Sequence, residues 1–317
     1  MSEALPGNHA GLNQVIQHLR LIAEMTLTSG AHPLQKRSLL EMYFSAAPQI
    51  LNIEANITPE LVGELPCEWV CAEGVDTRKR ILYLHGGSWM AGSAISHRSL
   101  TSRLSAATGC AVLSLNYRLA PEYPFPAGLE DSIHGLQWLH THGPDGESPS
   151  HSLYIAGDSA GANIALATLL ALKQGNKTMP NAAVVFSPPT DLHFKRDFIK
   201  ANDHIDPILS AELLPYVAAN YVQEQSNFKD PLVSPIYGDL SDLPPILVQV
   251  GEAEILLEDS THFAEAATAA GSPVTLSRWP NMPHVFQGFA PLLPEATQAI
   301  EEVAHFLKEH TSSTHTE

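Results

Sequence analysis

The chain has 317 residues, 44% hydrophobic and 16% charged, enough for one large α/β domain with insertions or for two small domains. Thirty-four acidic against 17 basic residues give a formal net charge of −17, which argues against nucleic acid or an anionic membrane as partner. Three cysteines (Cys67, Cys71 and Cys110) make no disulfide framework. With no signal-peptide layout and no run of about 18 apolar residues, the expectation is a cytoplasmic protein without a membrane span.

Residues 12–44 read as two amphipathic helices. Val15, Leu19, Ile22 and Met25 form one stripe, and Leu39, Leu40, Tyr43 and Phe44 form another after a break at Pro33. Met25, Met42 and Phe44 read as core rather than acyl-pocket residues. These helices precede any strand, so their apolar faces need a surface outside the sheet's own layers, and a cap over a cleft is the expectation. From Cys67 the pattern changes to strands at 68–71 and 81–84. Cys67 and Cys71 share a strand face and read as small buried hydrophobes, so no metal is expected. Apolar strands at 111–115, 153–156, 183–186, 246–250 and 274–277 alternate with helices near 100–107, 129–139, 259–270 and 294–308. That alternation implies a mostly parallel central sheet with helices on both faces. Between Asp191 and Ser234 the strand pattern lapses around a helix near 211–221, which reads as an insertion meeting the N-terminal helices. The expected organisation is a helical cap segment at 1–50, a core in two parts at 51–190 and 236–311, a cap insertion at 191–235, and a polar tail at 312–317.

The chemistry concentrates at Gly157-Asp158-Ser159-Ala160-Gly161, a G-x-S-x-G turn with a strand before it and a helix after it. A serine on so sharp a turn sits in a strained backbone, and its glycine neighbours must lack a Cβ. Among 16 histidines, position selects His284, which follows the last strand in a loop over the same sheet edge. The orienting acid should follow the strand ending at Val250, where Glu252, Glu254, Glu258 and Asp259 compete. Glu258 and Asp259 open the next helix, where acidic side chains suit the dipole. Glu254 lies deeper, just ahead of Ile255-Leu256-Leu257, and is preferred to Glu252.

With these motifs in order, the chain resembles the hormone-sensitive-lipase family of α/β-hydrolase esterases over roughly residues 60–310. The resemblance rests on His85-Gly86-Gly87 with Gly92-Ser93, on Tyr117-Arg118-Leu119-Ala120-Pro121-Glu122 with Phe125-Pro126-Ala127 and Asp131, on the serine motif, and on His284. It implies an α/β-hydrolase fold with a helical cap, Ser159 as nucleophile, His284 as base, and the amides of Gly86, Gly87 and Ala160 as oxyanion donors. The family commonly carries Asp-Pro-Leu where this chain has Glu254-Ile255-Leu256, and the 30-residue interval to His284 supports Glu254. Ala162 stands where the family often has glycine. Trp89 and Asp158, beside the glycine loop and the serine, are expected to contact substrate.

The implied activity is hydrolysis of short- to medium-chain acyl esters through an acyl-enzyme, with a small-molecule ester as partner and no cofactor. A homodimer is left open. Amidase, lactonase or deacetylase chemistry on the same site, or a non-catalytic small-molecule receptor, are the alternatives.

Overall fold

The computed structural model describes residues 9–28, 33–194 and 197–311; the expected tail at 312–317 and the first eight residues of the N-terminal segment lie outside the described residues. An eight-stranded sheet organises the fold. Its strands are β1 (Asn56–Val62), β2 (Leu65–Cys71), β3 (Asp76–Leu84), β4 (Cys110–Leu115), β5 (Ser152–Asp158), β6 (Ala182–Phe186), β7 (Ile246–Gly251) and β8 (Val274–Trp279). They lie in the order β1-β2-β4-β3-β5-β6-β7-β8. β2 runs antiparallel to both its neighbours, and every other pairing is parallel. β1 escapes the sequence reading because it is an edge strand whose only buried residue is Val62, so it carries no apolar alternation.

The helices are α1 (His9–Thr28), α2 (Pro33–Leu40), α3 (Arg98–Thr108), α4 (Ala127–Leu139), α5 (Ala160–Gln174), α6 (Asp197–Asn202), α7 (Leu214–Tyr221), α8 (Leu257–Ala269) and α9 (Pro294–Glu309). The two-residue period of a strand sorts the core into two layers. Leu82 and Leu84 of β3 pack in one cluster with Leu136 of α4, Leu166 of α5 and Phe263 of α8. Ile81 and Tyr83 pack in the other with Leu100 of α3 and Val303 of α9.

Val15 and Leu19 of α1 belong to that second cluster, as do Phe44 and Ile50. Two expectations for this region need correction. Met25 and Met42 are 43% and 51% exposed, so neither is core. Pro33 opens α2, as its missing N–H allows, so two helices meet at the expected break, but Tyr43 and Phe44 lie in turns beyond the end of α2 rather than on its stripe.

Register positions the site. Leu84 pairs with Gly157, Asp158 with Phe186, and Phe186 with Gln249. The C-terminal ends of β3, β5, β6 and β7 therefore finish level, and the segments that follow them emerge at one sheet edge, where α/β sheets bind ligands. Among the described residues no helix is long and apolar enough to cross a membrane.

Candidate active site

Ser159 sits between the end of β5 and the start of α5 with φ 50° and ψ −120°, a backbone conformation that costs an L-residue of order 1–3 kcal/mol. Two close approaches hold it. A Cβ on Gly157 would lie 2.7 Å from the backbone of Gly161, and one on Gly161 would lie 2.0 Å from the Leu84 carbonyl oxygen. The Ser159 N–H donates to Phe186 O at 2.8 Å, tying the turn to the neighbouring strand. Both glycines are thus required by packing of the turn against β3.

His284 is brought to this edge by the loop after β8. The loop is pinned to the end of β7: Ala253 N–H donates to Met282 O at 3.0 Å. A Cβ on Gly251 would fall 2.1 Å from that same carbonyl oxygen. Buried His284 meets buried Glu254, with Nδ1 2.6 Å from Oε2. The other carboxylate oxygen of Glu254 accepts the Ser187 hydroxyl at 2.6 Å and the Gly251 N–H at 2.8 Å. Glu252, two residues earlier in the loop, pairs instead with Arg278 at the surface at 3.0 Å. Burial alone would push the His284 imidazole down. The adjoining Glu254 carboxylate, its hydrogen bond, and the charges of Asp206 and Asp158 more than offset that, and the net shift is upward.

Ser159 and His284 line one cavity with Tyr43, Phe44, Gly86, Gly87, Ser88, Ile208 and Leu209, with an empty volume of about 470 Å³, solvent at its mouth included. An apolar pocket adjoins it, sharing Leu40, Ser88, Ile208 and Leu209 and extending to Ala23 and Thr26 of α1 and to Leu213, Leu214 and Val217 at α7.

Three of the expected roles change. The Gly86 N–H donates to Asp158 Oδ1 at 3.0 Å, so it is already committed and is not a free oxyanion donor. Gly86 is glycine because a Cβ there would sit 2.2 Å from Asp158 Oδ2. Asp158, which also lines the cavity, spends its carboxylate on the protein itself. Its buried carboxylate also accepts the Tyr83 hydroxyl at 2.7 Å and lies 3.3 Å from His97 Nε2, which makes it the anchor of the glycine loop. Burial raises its pKa, but His97 and the hydrogen bonds outweigh that and hold it below the usual carboxylate value. Trp89 is buried and stacked on Tyr221 at 4.7 Å, outside the residues lining the cavity. The amides left beside Ser159 are those of Gly87, of cavity-lining Ser88, and of Ala160, whose place in the first turn of α5 gives its N–H no helical acceptor.

His85 lies outside the residues that line the Ser159 cavity. Burial, then neighbouring His97, push its pKa to about 4, and it stacks on Tyr117 at 4.4 Å.

Sequence reading missed Ser187, Tyr43, Asn202 and Asp206. Ser187 carried a usable signal, since it directly follows the strand beside the one that delivers Ser159. It adopts φ 50° and reaches the acid. Among the described residues, no group of three or more His, Cys, Asp or Glu side chains could hold a metal ion.

A family model for the alpha/beta hydrolase fold matches residues 81–288. The chain is 42% identical over 250 residues to an acetyl-hydrolase of Streptomyces hygroscopicus, covering 79% of this chain and 82% of that protein. It is 36% identical over 270 residues to an esterase of Acinetobacter venetianus, covering 85% and 87%. A crystal structure of an esterase from the bacterial hormone-sensitive lipase family superposes with a TM-score of 0.88 at 37% identity, over 98% of this chain and all of that one. EstE5, in a crystal soaked with p-nitrophenyl butyrate, superposes with a TM-score of 0.83 at 34% identity, over 98% and 100%.

Proposed function

The chain belongs to the hormone-sensitive-lipase family of α/β-hydrolase esterases, and from that premise we propose a Ser159–His284–Glu254 mechanism acting on short- to medium-chain acyl esters. The observation that carries this reading is the buried 2.6 Å contact between His284 Nδ1 and Glu254 Oε2, beside a serine held on a strained turn in the same cavity.

The steps follow from that contact. Glu254 keeps the proton on Nδ1, which leaves Nε2 to take the Ser159 proton as Oγ attacks the ester carbonyl. The tetrahedral oxyanion is met by the amides of Gly87, Ser88 and Ala160, which cost no reorganisation because the loop is already anchored on Asp158. The imidazolium returns its proton to the leaving alcohol, and the acyl group stays on Oγ. Water then attacks with the same base, releasing the acid and free Ser159.

The adjoining apolar pocket supports the acyl-chain assignment, because residues of α1 and α2 and of the 206–217 stretch wall it together. On this reading the described parts of the 1–50 segment and of the 191–235 insertion form a cap over the two parts of the core. The 42% identity to an acetyl-hydrolase favours the short end of the acyl range.

The test is turnover of p-nitrophenyl esters from acetate to decanoate, with intact-mass detection of the acyl-enzyme. Ser159→Ala should abolish both turnover and the mass adduct. A folded Ser159→Ala protein that still turned over esters, or a wild type with no serine-dependent turnover of any ester, would refute the mechanism.

A further inference from the structure

We infer that Asp206 is a positioning residue for ester hydrolysis, a carboxylate from the 191–234 insertion that ties down the acid loop and adds its negative charge to the surroundings of His284. The inference rests on the triad proposed above.

The geometry begins with where the two oxygens go. Oδ1 accepts the N–H groups of Ile208 and Leu209, each at 2.9 Å, and so shapes the turn whose side chains wall the serine cavity. Oδ2 accepts the N–H of Ile255 at 3.0 Å, and Ile255 directly follows Glu254. Four residues before Asp206, the Asn202 side-chain amide donates to the Glu254 carbonyl at 3.1 Å. The insertion thus grips the acid loop at two successive residues with the turn that forms the cavity wall. A turn-forming residue alone would need only Oδ1; the Ile255 bond is what carries the tie into the catalytic loop.

The charge then has a direction. Glu254 touches His284 directly, and the charges of Glu254, Asp206 and Asp158 each favour the imidazolium against the burial that opposes it. Burial raises the Asp206 carboxyl to about 6, with His284 and the three amides pulling the other way. Asp206 is therefore ionised above about pH 6, where His284, shifted upward from its ordinary value, changes charge. In the reaction His284 becomes imidazolium as Ser159 attacks, and a fixed anion nearby stabilises that state.

The experiment compares wild type, Asp206→Asn and Asp206→Glu as full chains, following p-nitrophenyl butyrate hydrolysis from pH 5 to 9.5. Asn keeps the size and one acceptor but removes the charge, whereas Glu keeps the charge on a longer arm. The Asn variant should move the acidic limb of kcat/KM down by roughly half a pH unit or more and lower kcat at pH 8 by about 3- to 30-fold. Asp206→Glu should bring the limb back toward wild type. A folded Asn variant with an unmoved limb overturns the inference, even if kcat falls, because the residue is then only a loop tie. A limb not restored by Glu does the same.

Should the Asn variant not fold, Asp206→Ser, which retains a turn acceptor without charge, takes its place. Failure of both to fold would assign the residue to stability alone and also overturn the inference. The triad reading is scored separately: an unmoved limb beside an inactive Ser159→Ala leaves the triad standing, while an active Ser159→Ala brings down the triad first.

Discussion

The Tyr43 hydroxyl donates to the main-chain carbonyl of His284 at 2.5 Å, joining residues 241 positions apart. Tyr43 lies just past α2 and packs against Phe289, ring centroids 5.7 Å apart. Its neighbour Phe44 fills the space a Cβ on Gly288 would need, 2.0 Å from its ring. The N-terminal segment is therefore built into the loop that carries the base. Burial, then the charges of Asp206, Glu254 and Asp158, hold the phenol well above its ordinary pKa, so it stays a donor at every working pH. Tyr43→Phe should lose about 1 kcal/mol of stability and lower kcat by about 2- to 10-fold with KM nearly unchanged, since the imidazole is loosened while the pocket keeps its ring. Thermal unfolding and Michaelis kinetics on the same preparation check this. A raised KM with intact kcat would make Tyr43 a substrate contact instead.

Glu254 and Glu252 provide a matched pair two residues apart. The first is fully buried with its oxygens on His284, Ser187 and Gly251; the second reaches Arg278 at the surface. Glu254→Ala should cost about 10³- to 10⁴-fold in kcat, because the imidazole loses both its orientation and the charge that stabilises it. Glu252→Ala should stay within about 3-fold of wild type, as loss of an exposed ion pair does elsewhere. Equal losses in two folded variants would remove Glu254 from the mechanism.

The upward shift at His284 sets the sign of the pH dependence. Neutral imidazole is the active form, so kcat/KM rises with pH, and its midpoint should lie above the ordinary imidazole value of about 6.5. Burial lowers this pKa and Glu254 leads the causes that raise it. Glu254→Gln should consequently move the residual activity's limb to lower pH. Profiles recorded with an ester slow enough for chemistry to limit turnover test both statements. A limb that moved upward in Glu254→Gln would contradict them.

What could be read from sequence was local. The strand-turn-helix around Ser159 and the loop position of His284 are each contained within a few residues, and the glycine spacing of the serine turn is recognisable locally even though Gly161 is kept for its approach to Leu84 of β3. The error at Gly86 has the opposite origin. Its amide partner, Asp158, stands 72 positions away, so a glycine kept for that carboxylate looks the same as one kept for an oxyanion. Tyr43, Asn202 and Asp206 were invisible for a related reason. Each acts on a backbone carbonyl or amide of a distant loop, and a backbone partner leaves no residue type to recognise. Met25 continues the α1 stripe in helical period, yet Val15 and Leu19 meet the core and Met25 runs past it. Periodicity reports a face, not where along the helix the partner ends.

The apolar pocket beside the serine cavity makes the last prediction, which concerns acyl length. Leu209 lines both spaces, so it stands where a chain leaving the acyl carbon would pass from one to the other. Beyond it, Leu213, Leu214 and Val217 offer apolar surface for further methylenes, each worth about 0.8 kcal/mol when buried. Four methylenes separate butyrate from octanoate, a difference of roughly 3 kcal/mol, or about 10²-fold in kcat/KM if the pocket is used fully. Leu209→Trp fills the passage without touching Ser159 or His284. It should therefore cut octanoate kcat/KM by at least about 10-fold while acetate changes by less than about 3-fold, and Leu209→Ala should leave acetate alone and improve the longer chain. A p-nitrophenyl ester series on the two variants reads this directly. A parallel fall across all chain lengths would mean that the acyl chain takes another route and that Leu209 only supports the cavity wall.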